Sequence, residues 1–539
     1  MLMLQETVPS RSDLLTRVHE LELGNKALSS KNEELETRNQ NLDSKNQELS
    51  TRVEELDLRN KELNLQAEVL TELVCLLRGQ RFSPKSEKAS PDQLAFGECF
   101  NEAEATDTEE ETIEVKSHTK KKPGGRNKLP ETFPRVQEVI DLEDKTCTKC
   151  GSEMSHIGDV VTEKLNLEPL IIEVVERIRR KYACRACEEV VKTAPLPKDP
   201  IPKSIATPGL LSFITVSKFV DRLPLYAIEG ILQRNGIDIP RNTLSNWMIK
   251  SGELVQPLMN LLEERALESG YLKMDETTVQ VLKEPGKKAT TKSYMWVRWR
   301  AGPDPILLFE YDPTRSGAVP KRLLEGFEGF LQVDGYTGYN EVCEWPKITR
   351  VGCMAHVRRK FKEAAKSSKK KARANYALKL IGKLYVTEKE IKDLTADEKL
   401  SIRQTQSKPV FEELEAWAKD LTPKVAPKTL LGKALQYFLN ELENVRVFLN
   451  HGHLDIDNNL IENAIRPFAV GRKNWLFSDS VSGARASANL YSLVETAKAH
   501  GLNPHKYLKH IFTELPKAET IKQIESLLPS YVAKNNALA

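Results

Sequence analysis

The chain has no apolar run approaching the roughly 20 residues of a membrane-spanning helix. Its opening, Met1-Leu-Met-Leu-Gln-Glu6, has neither the basic region nor the apolar core of a secretion signal. No membrane association is therefore expected, and a cytoplasmic location is. Aromatics are sparse at 6%, and net charge is only +3 over 539 residues, so no broad basic field covers the molecule. Lys and Arg are instead gathered in clusters, the distribution that meets phosphates locally. Cysteine is scarce too: eight in a chain of this length exclude a disulfide scaffold. Four of the eight fall in two Cys-x-x-Cys pairs, a pattern that points to metal. The length allows roughly two to four domains.

Leucine recurs at every seventh position, from Leu14 through Leu21, Leu28, Leu35, Leu42, Leu49, Leu56, Leu63 and Leu70 to Leu77. With these as d positions, the a positions include Asn25, Asn32, Asn39 and Asn46. Asn at a sacrifices stability but specifies register, and parallel dimers accommodate it best. Between partner helices the g-to-e pairs Arg17–Glu22, Lys31–Glu36, Arg38–Asp43 and Arg52–Asp57 are all attractive. A parallel homodimeric coiled coil over 12–78 is expected, with this Leu and Asn seam as its contact. A single helix packed on its own chain would not use so many Asn. A basic-zipper regulator needs a basic helix ahead of the zipper, and residues 1–13 hold one Arg and no Lys.

Residues 79–135 read as a flexible linker, with an acidic block at 102–114 and then the run Lys120-Lys-Lys-Pro-Gly-Gly-Arg126-Asn-Lys128. That run, Arg126 included, is a candidate for tracking DNA phosphates. In 136–195, Cys147, Cys150, Cys184 and Cys187 can close a tetrahedral four-cysteine zinc site. The alternating segment 170–182 predicts strands that form a small ribbon. Arg179 and Arg180 beside the site are candidates for DNA contact. A thioredoxin-type redox motif needs one such pair at a helix start, not two. Residues 203–267 read as helical. Within them 225–234, a short turn and 241–247 have the layout of a helix-turn-helix, or equally of an ordinary helical hairpin.

From 271 the pattern turns to strands, at 271–282, 293–300 and 305–311. A helix near 318–326, a strand at 330–334, and a strand and helix within 348–361 follow. Two of these apolar runs end in an acid: Tyr271-Leu-Lys-Met-Asp275 and Phe330-Leu-Gln-Val-Asp334. A third acid, Glu462, lies beside a helical face of Leu460, Ile461, Ala464, Ile465 and Phe468; Asp455 and Asp457 compete with it. This element order is that of an RNase H-like fold, and Asp275, Asp334 and Glu462 occupy the places where that fold gathers its carboxylates. Three such carboxylates can hold two Mg²⁺ or Mn²⁺ ions and so carry out phosphodiester chemistry. The Lys-rich stretch 362–441 reads as an all-helical insertion in a core spanning 268–515, with a tail at 516–539. Arg358, Arg359, Arg466, Arg472 and Lys473 are candidates for positioning the DNA strand. Cys343, Cys353 and His356 are candidates for metal ligation or for structure. The expected fold class is multidomain α/β: coiled coil, zinc module, helical segment, then RNase H-like core.

This order of parts resembles the large transposase of bacterial insertion sequences of the "sixty-six" family, a DDE transposase. The resemblance spans nearly the whole chain. It rests on Gly125-Arg126-x-x-Leu129-Pro130, the zipper and the zinc module, and on Asp334-Gly-Tyr-x-Gly-Tyr339. The most specific blocks are Cys353-x-Ala-His356-x-Arg-Arg-x-Phe361 and Asn458-Asn-x-x-Glu462-Asn-x-x-Arg466-Pro, with Gly471-Arg-Lys-Asn-Trp475 after it. Met354 stands where relatives commonly carry Trp, one apolar residue for another. The resemblance implies that Asp275, Asp334 and Glu462 are metal ligands, and that the protein cuts element ends and joins them to target DNA. It also implies double-stranded DNA as partner and small accessory proteins from the same element. Two other readings stay open: a metal-dependent nuclease of the same fold that cuts without joining, and a non-catalytic, zipper-dimerised DNA-binding regulator.

Overall fold

A computed structural model describes residues 11–82, 133–168, 171–186, 188–367 and 371–535. The acidic block, the basic run with Arg126, and Cys187 lie outside the described residues. The first element is a single helix, α1 (Arg11–Phe82), of 72 residues. At 1.5 Å per residue it is about 110 Å long. Its heptad leucines from Leu21 to Leu70 stand in solvent, from 47% exposed at Leu35 to 63% at Leu28. Among the described residues no helix is long and apolar enough to cross a membrane.

A four-stranded sheet follows, made of β1 (Arg135–Ile140), β2 (Ser155–Glu168), β3 (Ile171–Ala183) and β4 (Val191–Thr193). Its order is β1-β3-β2, with β4 on β3. β2 and β3 form a long antiparallel hairpin, and β1 joins β3 in parallel. One end of the hairpin carries the cysteines. The other end, at Leu165 and Val174, is buried in the main apolar core.

Helices α2 (Pro208–Phe219), α3 (Leu225–Arg234), α4 (Arg241–Leu254) and α5 (Gln256–Leu267) come next. The side chain of Thr207 caps α2 and Pro208 opens its first turn, a favourable start because proline lacks the amide that would go unpaired there. α3 and α4 flank a turn and bury Ile228, Leu232, Leu244 and Trp247.

The larger sheet holds β5 (Tyr271–Lys283), β6 (Lys292–Arg300), β7 (Ile306–Asp312), β8 (Gly329–Gln332), β9 (Ile348–Val351) and β10 (Ser478–Ser480). Its order is β7-β6-β5-β8-β9, and β10 pairs with β5. β5, β6 and β7 form an antiparallel meander, whereas β8 and β9 run parallel to β5. Short helices α6 (Ala318–Leu323) and α7 (Asn340–Cys343) link β7 to β8 and β8 to β9.

After β9 the chain leaves the sheet through α8 (Met354–Ser367), α9 (Lys371–Glu390), α10 (Ala396–Ile402), α11 (Lys408–Leu421), α12 (Leu430–Asn440) and α13 (Leu442–Arg446). This helical excursion has its own core around Phe361, Leu380, Phe411 and Phe438. The main core instead joins the larger sheet to α2–α5, α14 (Asn459–Trp475), α15 (Val481–Ala499) and α16 (Pro504–Glu514). Two short helices, α17 (Ile521–Glu525) and α18 (Pro529–Lys534), follow. Leu528 and Val532, in the stretch expected as a tail, are buried in that main core.

Two contacts of α15 hold the layers together. A Cβ on Gly252 of α4 would lie 2.6 Å from the Ala486 Cα, so the two helices touch backbone to backbone. On the edge strand β7, the Phe309 amide donates to Ser492 Oγ (2.7 Å) and the Leu307 amide to Thr496 Oγ1 (3.0 Å). Four helical residues rise about 6 Å and two strand residues about 6.8 Å, so hydroxyls one turn apart match alternate edge amides.

Candidate active site

Register brings the first two acids together. Tyr271 pairs with Phe330 and Lys273 with Gln332 in the parallel β5–β8 ladder. The same register carried two residues further sets Asp334 beside Asp275. Asp334 Oδ1 accepts from the Tyr336 amide at 3.0 Å, a local turn that fixes the carboxylate. Its backbone carbonyl accepts from Arg350 at 2.6 Å. Gly335 lies against Tyr437 of α12: a Cβ there would fall 2.6 Å from the ring, and the Gly335 amide donates to the Tyr437 hydroxyl at 3.2 Å. The residue after Asp334 must therefore be small.

The third acid reaches the same place on the first turn of α14. Glu462 is 2% exposed. Its Oε2 lies 3.3 Å from Arg359 Nη2 and its Oε1 lies 3.7 Å from His356 Nδ1. The other ring nitrogen of His356 is 3.9 Å from Asp334 Oδ2. His356, at the start of α8, thus stands between two of the acids.

α14 is tied to β5 at both ends. Ahead of it, the fully buried Lys273 donates to the Asp457 carbonyl (2.9 Å) and pairs with Asp455 (2.6 Å). Asn458 donates to the Met274 carbonyl at 3.2 Å. At the far end, buried Arg472 donates to the hydroxyls of Thr277 and Thr278 and to the Thr278 carbonyl. β10 then pairs with Val281 and Lys283 of the same strand. The strand bearing Asp275 and the helix bearing Glu462 are held as one unit.

Burial and then the charges of Glu276, Asp334 and Glu462 push the Asp275 carboxyl well above the usual aspartate range, with His356 opposing. Burial also raises Glu276, which accepts from Tyr339 at 2.5 Å and pairs with Arg315. Burial opposes charge on His356, yet its neighbours Cys353, Asp334 and Glu462 hold it protonated well above the usual histidine range. Glu462 Oε1 is buried with no hydrogen-bond partner. A crowd of carboxylates that repel one another suits divalent cations with oxygen preference.

The other expected site residues are distributed differently. Asp455 and Asp457, the rivals of Glu462, serve Lys273, Tyr385 and Asn459 instead. Arg472 was expected on DNA and is instead a core residue at 4% exposure. Arg359 faces Glu462, and Arg358 lies 6.0 Å over the Tyr385 ring. Arg466 is half-buried, whereas Lys473 is exposed. Lys273, Glu276, Arg315 and Tyr437 join the site without having been singled out in the sequence.

In the small sheet, Cys147, Cys150 and Cys184 offer sulfurs all within 4.8 Å of one another. The Gly151 amide donates to the Cys147 carbonyl at 3.0 Å, a tight turn that Gly151 enters with φ 73°. The Ser152 amide first, then its hydroxyl and the neighbouring cysteines, draw the Cys150 thiol down to about 6. Thiols converging from two turns are the donor set of structural zinc. Arg179 donates to the Ala194 carbonyl at 2.7 Å, while Arg180 is exposed, 3.9 Å from Asp141.

Residues 203–486 match the Transposase IS66 family, and 492–530 match the IS66 C-terminal element. Residues 144–188 match the zinc-finger binding domain of transposase IS66. Residues 69–137, from late α1 through the stretch read as a linker, match the Transposase C of IS166 homeodomain. An uncharacterized protein of Sinorhizobium fredii, y4jD, is 32% identical over 414 residues, covering 74% of this chain and 81% of its own. Another from that organism, y4qI, is 32% identical over 482 residues, covering 85% and 88%. These matches define a DNA-processing enzyme of the transposase class. The chain belongs to the IS66 transposase family.

Proposed function

We propose that the chain is a DDE transposase that cuts DNA at insertion-sequence ends and joins the freed 3′ end to target DNA. The observation that carries this reading is the gathering of Asp275, Asp334 and Glu462 around His356. The strand order β7-β6-β5-β8-β9 supports an RNase H-like core, with the helical excursion as its insertion. When bound, a pair of Mg²⁺ or Mn²⁺ ions supplies activation of the attacking oxygen and stabilisation of the leaving one. Asp275, Asp334 and Glu462 are the residues that hold that pair. Arg359 orients Glu462, and Lys273 and Arg472 keep α14 in place on β5. Arg358, Arg466, Lys473 and Arg180 meet phosphates of the bound strand, each a positional contact without sequence information.

The zinc module and the α3–α4 pair read the element ends. The exposed leucines of α1 pair two protomers in a parallel coiled coil, so that two double-stranded ends are held together. The protein works in the cytoplasm, with small accessory proteins of the element completing the assembly. The test is strand transfer in vitro with Mg²⁺, a labelled element-end duplex and a target plasmid, beside an Asp334→Ala control. Joined product from the unaltered protein alone is expected. Cleavage without joining would favour a nuclease, and DNA binding with neither reaction a regulator.

A further inference from the structure

We infer that Cys353, His356 and Glu462 form a separate cation site for a zinc-class transition metal, and that filling it withdraws Glu462 from Asp275 and Asp334 and silences the enzyme. The inference rests on the reading of Glu462 as a catalytic ligand. The three side chains each offer one ligand atom, and these atoms lie within 4.8 Å of one another. Metal–ligand bonds of about 2.0–2.3 Å place ligands at such separations. All three residues are buried, at 3%, 8% and 2% exposure. Cys353 immediately precedes α8 and His356 lies in its first turn, so the chain entering the helix carries both. Glu462 comes across from α14.

Sulfur is the donor that decides the metal. Mg²⁺ takes oxygen ligands, whereas zinc-class ions accept thiolate and imidazole together. The Asn458 amide donates to Cys353 Sγ at 3.2 Å, an outer hydrogen bond of the kind that steadies a thiolate ligand. On Glu462 the two oxygens are divided. Oε2 faces Arg359, while Oε1 is buried without a hydrogen-bond partner on the side of His356. That open oxygen points to a ligand. Binding releases two protons to solvent, one from the Cys353 thiol and one from the His356 imidazolium, and changes no oxidation state. Glu462 has a single carboxylate to offer. Once turned to a soft ion on the α8 side, it no longer completes the oxygen cluster on β5.

The test uses the full chain in the Mg²⁺ strand-transfer reaction, titrated with Zn²⁺. Zinc should inhibit the unaltered protein, and Cys353→Ser should need roughly ten-fold more zinc or higher for the same inhibition. Cobalt–thiolate absorption supplies a readout independent of activity. It should saturate at about two equivalents in the unaltered protein, and at about one in either Cys353→Ser or Cys147→Ser. If Cys353→Ser does not fold, His356→Gln gives the same cobalt count. Equal zinc sensitivity, with one cobalt equivalent in both proteins, overturns the inference and leaves the catalytic reading intact. If the unaltered protein joins no DNA, the catalytic reading fails, silencing fails with it, and the cobalt count decides whether the site exists.

Discussion

At the scale of single residues, the site is a place where charge is held against its own repulsion. Asp275 binds a proton more tightly folded than unfolded, because burial and then its acidic neighbours raise its carboxyl. The linkage sign follows: stability is highest at low pH and falls as pH rises from the usual aspartate range through the raised value. His356, also raised, contributes in the same direction. With divalent metal withheld, the melting temperature should therefore drop as pH rises above the usual aspartate range, and Asp275→Asn should flatten that drop. At pH 8 the Asn variant should melt roughly 2–5 °C higher while joining no DNA, a common trade of function for stability. A variant that melts lower would mean the acids are not in conflict. Lys273→Met should lose about 1–3 kcal/mol in urea unfolding, since a buried ammonium hydrogen-bonded to the Asp457 carbonyl disappears. Asp275 and Asp334 stood out in the sequence because each ends an apolar run, although Asp275 lies within β5 rather than at its end. Lys273, in the same run as Asp275, did not: its burial depends on a carbonyl 184 residues later. Arg472 misled for the same reason, as nothing near it in sequence announces the threonines of β5.

Among elements, local pattern located most of the larger sheet. β5, β6 and β7 lie within a residue or so of the alternating runs at 271–282, 293–300 and 305–311. The parallel partner β1, largely exposed along its length, and the three-residue strand β10 carried no such signal, because their pairing is set by the partner strand. The approach of α4 to α15 was equally hidden. Gly252→Val should cost about 1–3 kcal/mol in urea unfolding, because its side chain meets the Ala486 backbone. The zinc hairpin is anchored asymmetrically, in the main core at Leu165 and Val174 and on sulfur at its other end. Zinc chelation should thus open the cysteine end to protease while α2–α5 stay resistant. Simultaneous loss of both would show that metal supports the whole fold.

For the molecule as a whole, the order of modules was readable, since heptads, paired cysteines and acids closing apolar runs each have their own spacing. What no local pattern carried is that 203–267 and the C-terminal helices share one core with the larger sheet. The stripe from Leu21 to Leu63 is exposed in the single chain and calls for a partner. A Leu35→Lys, Leu42→Lys double variant should run as a monomer by light scattering, keep the far-ultraviolet signature of its core, and lose joining that requires two ends. A dimer surviving that change would place the contact elsewhere. Ser492 and Thr496 bear on a different hazard. By occupying the outer amides of β7 they remove a template on which a foreign strand could grow. Molecules concentrated along one stretch of DNA can then touch repeatedly without stitching their sheets into fibrils, and each encounter stays reversible.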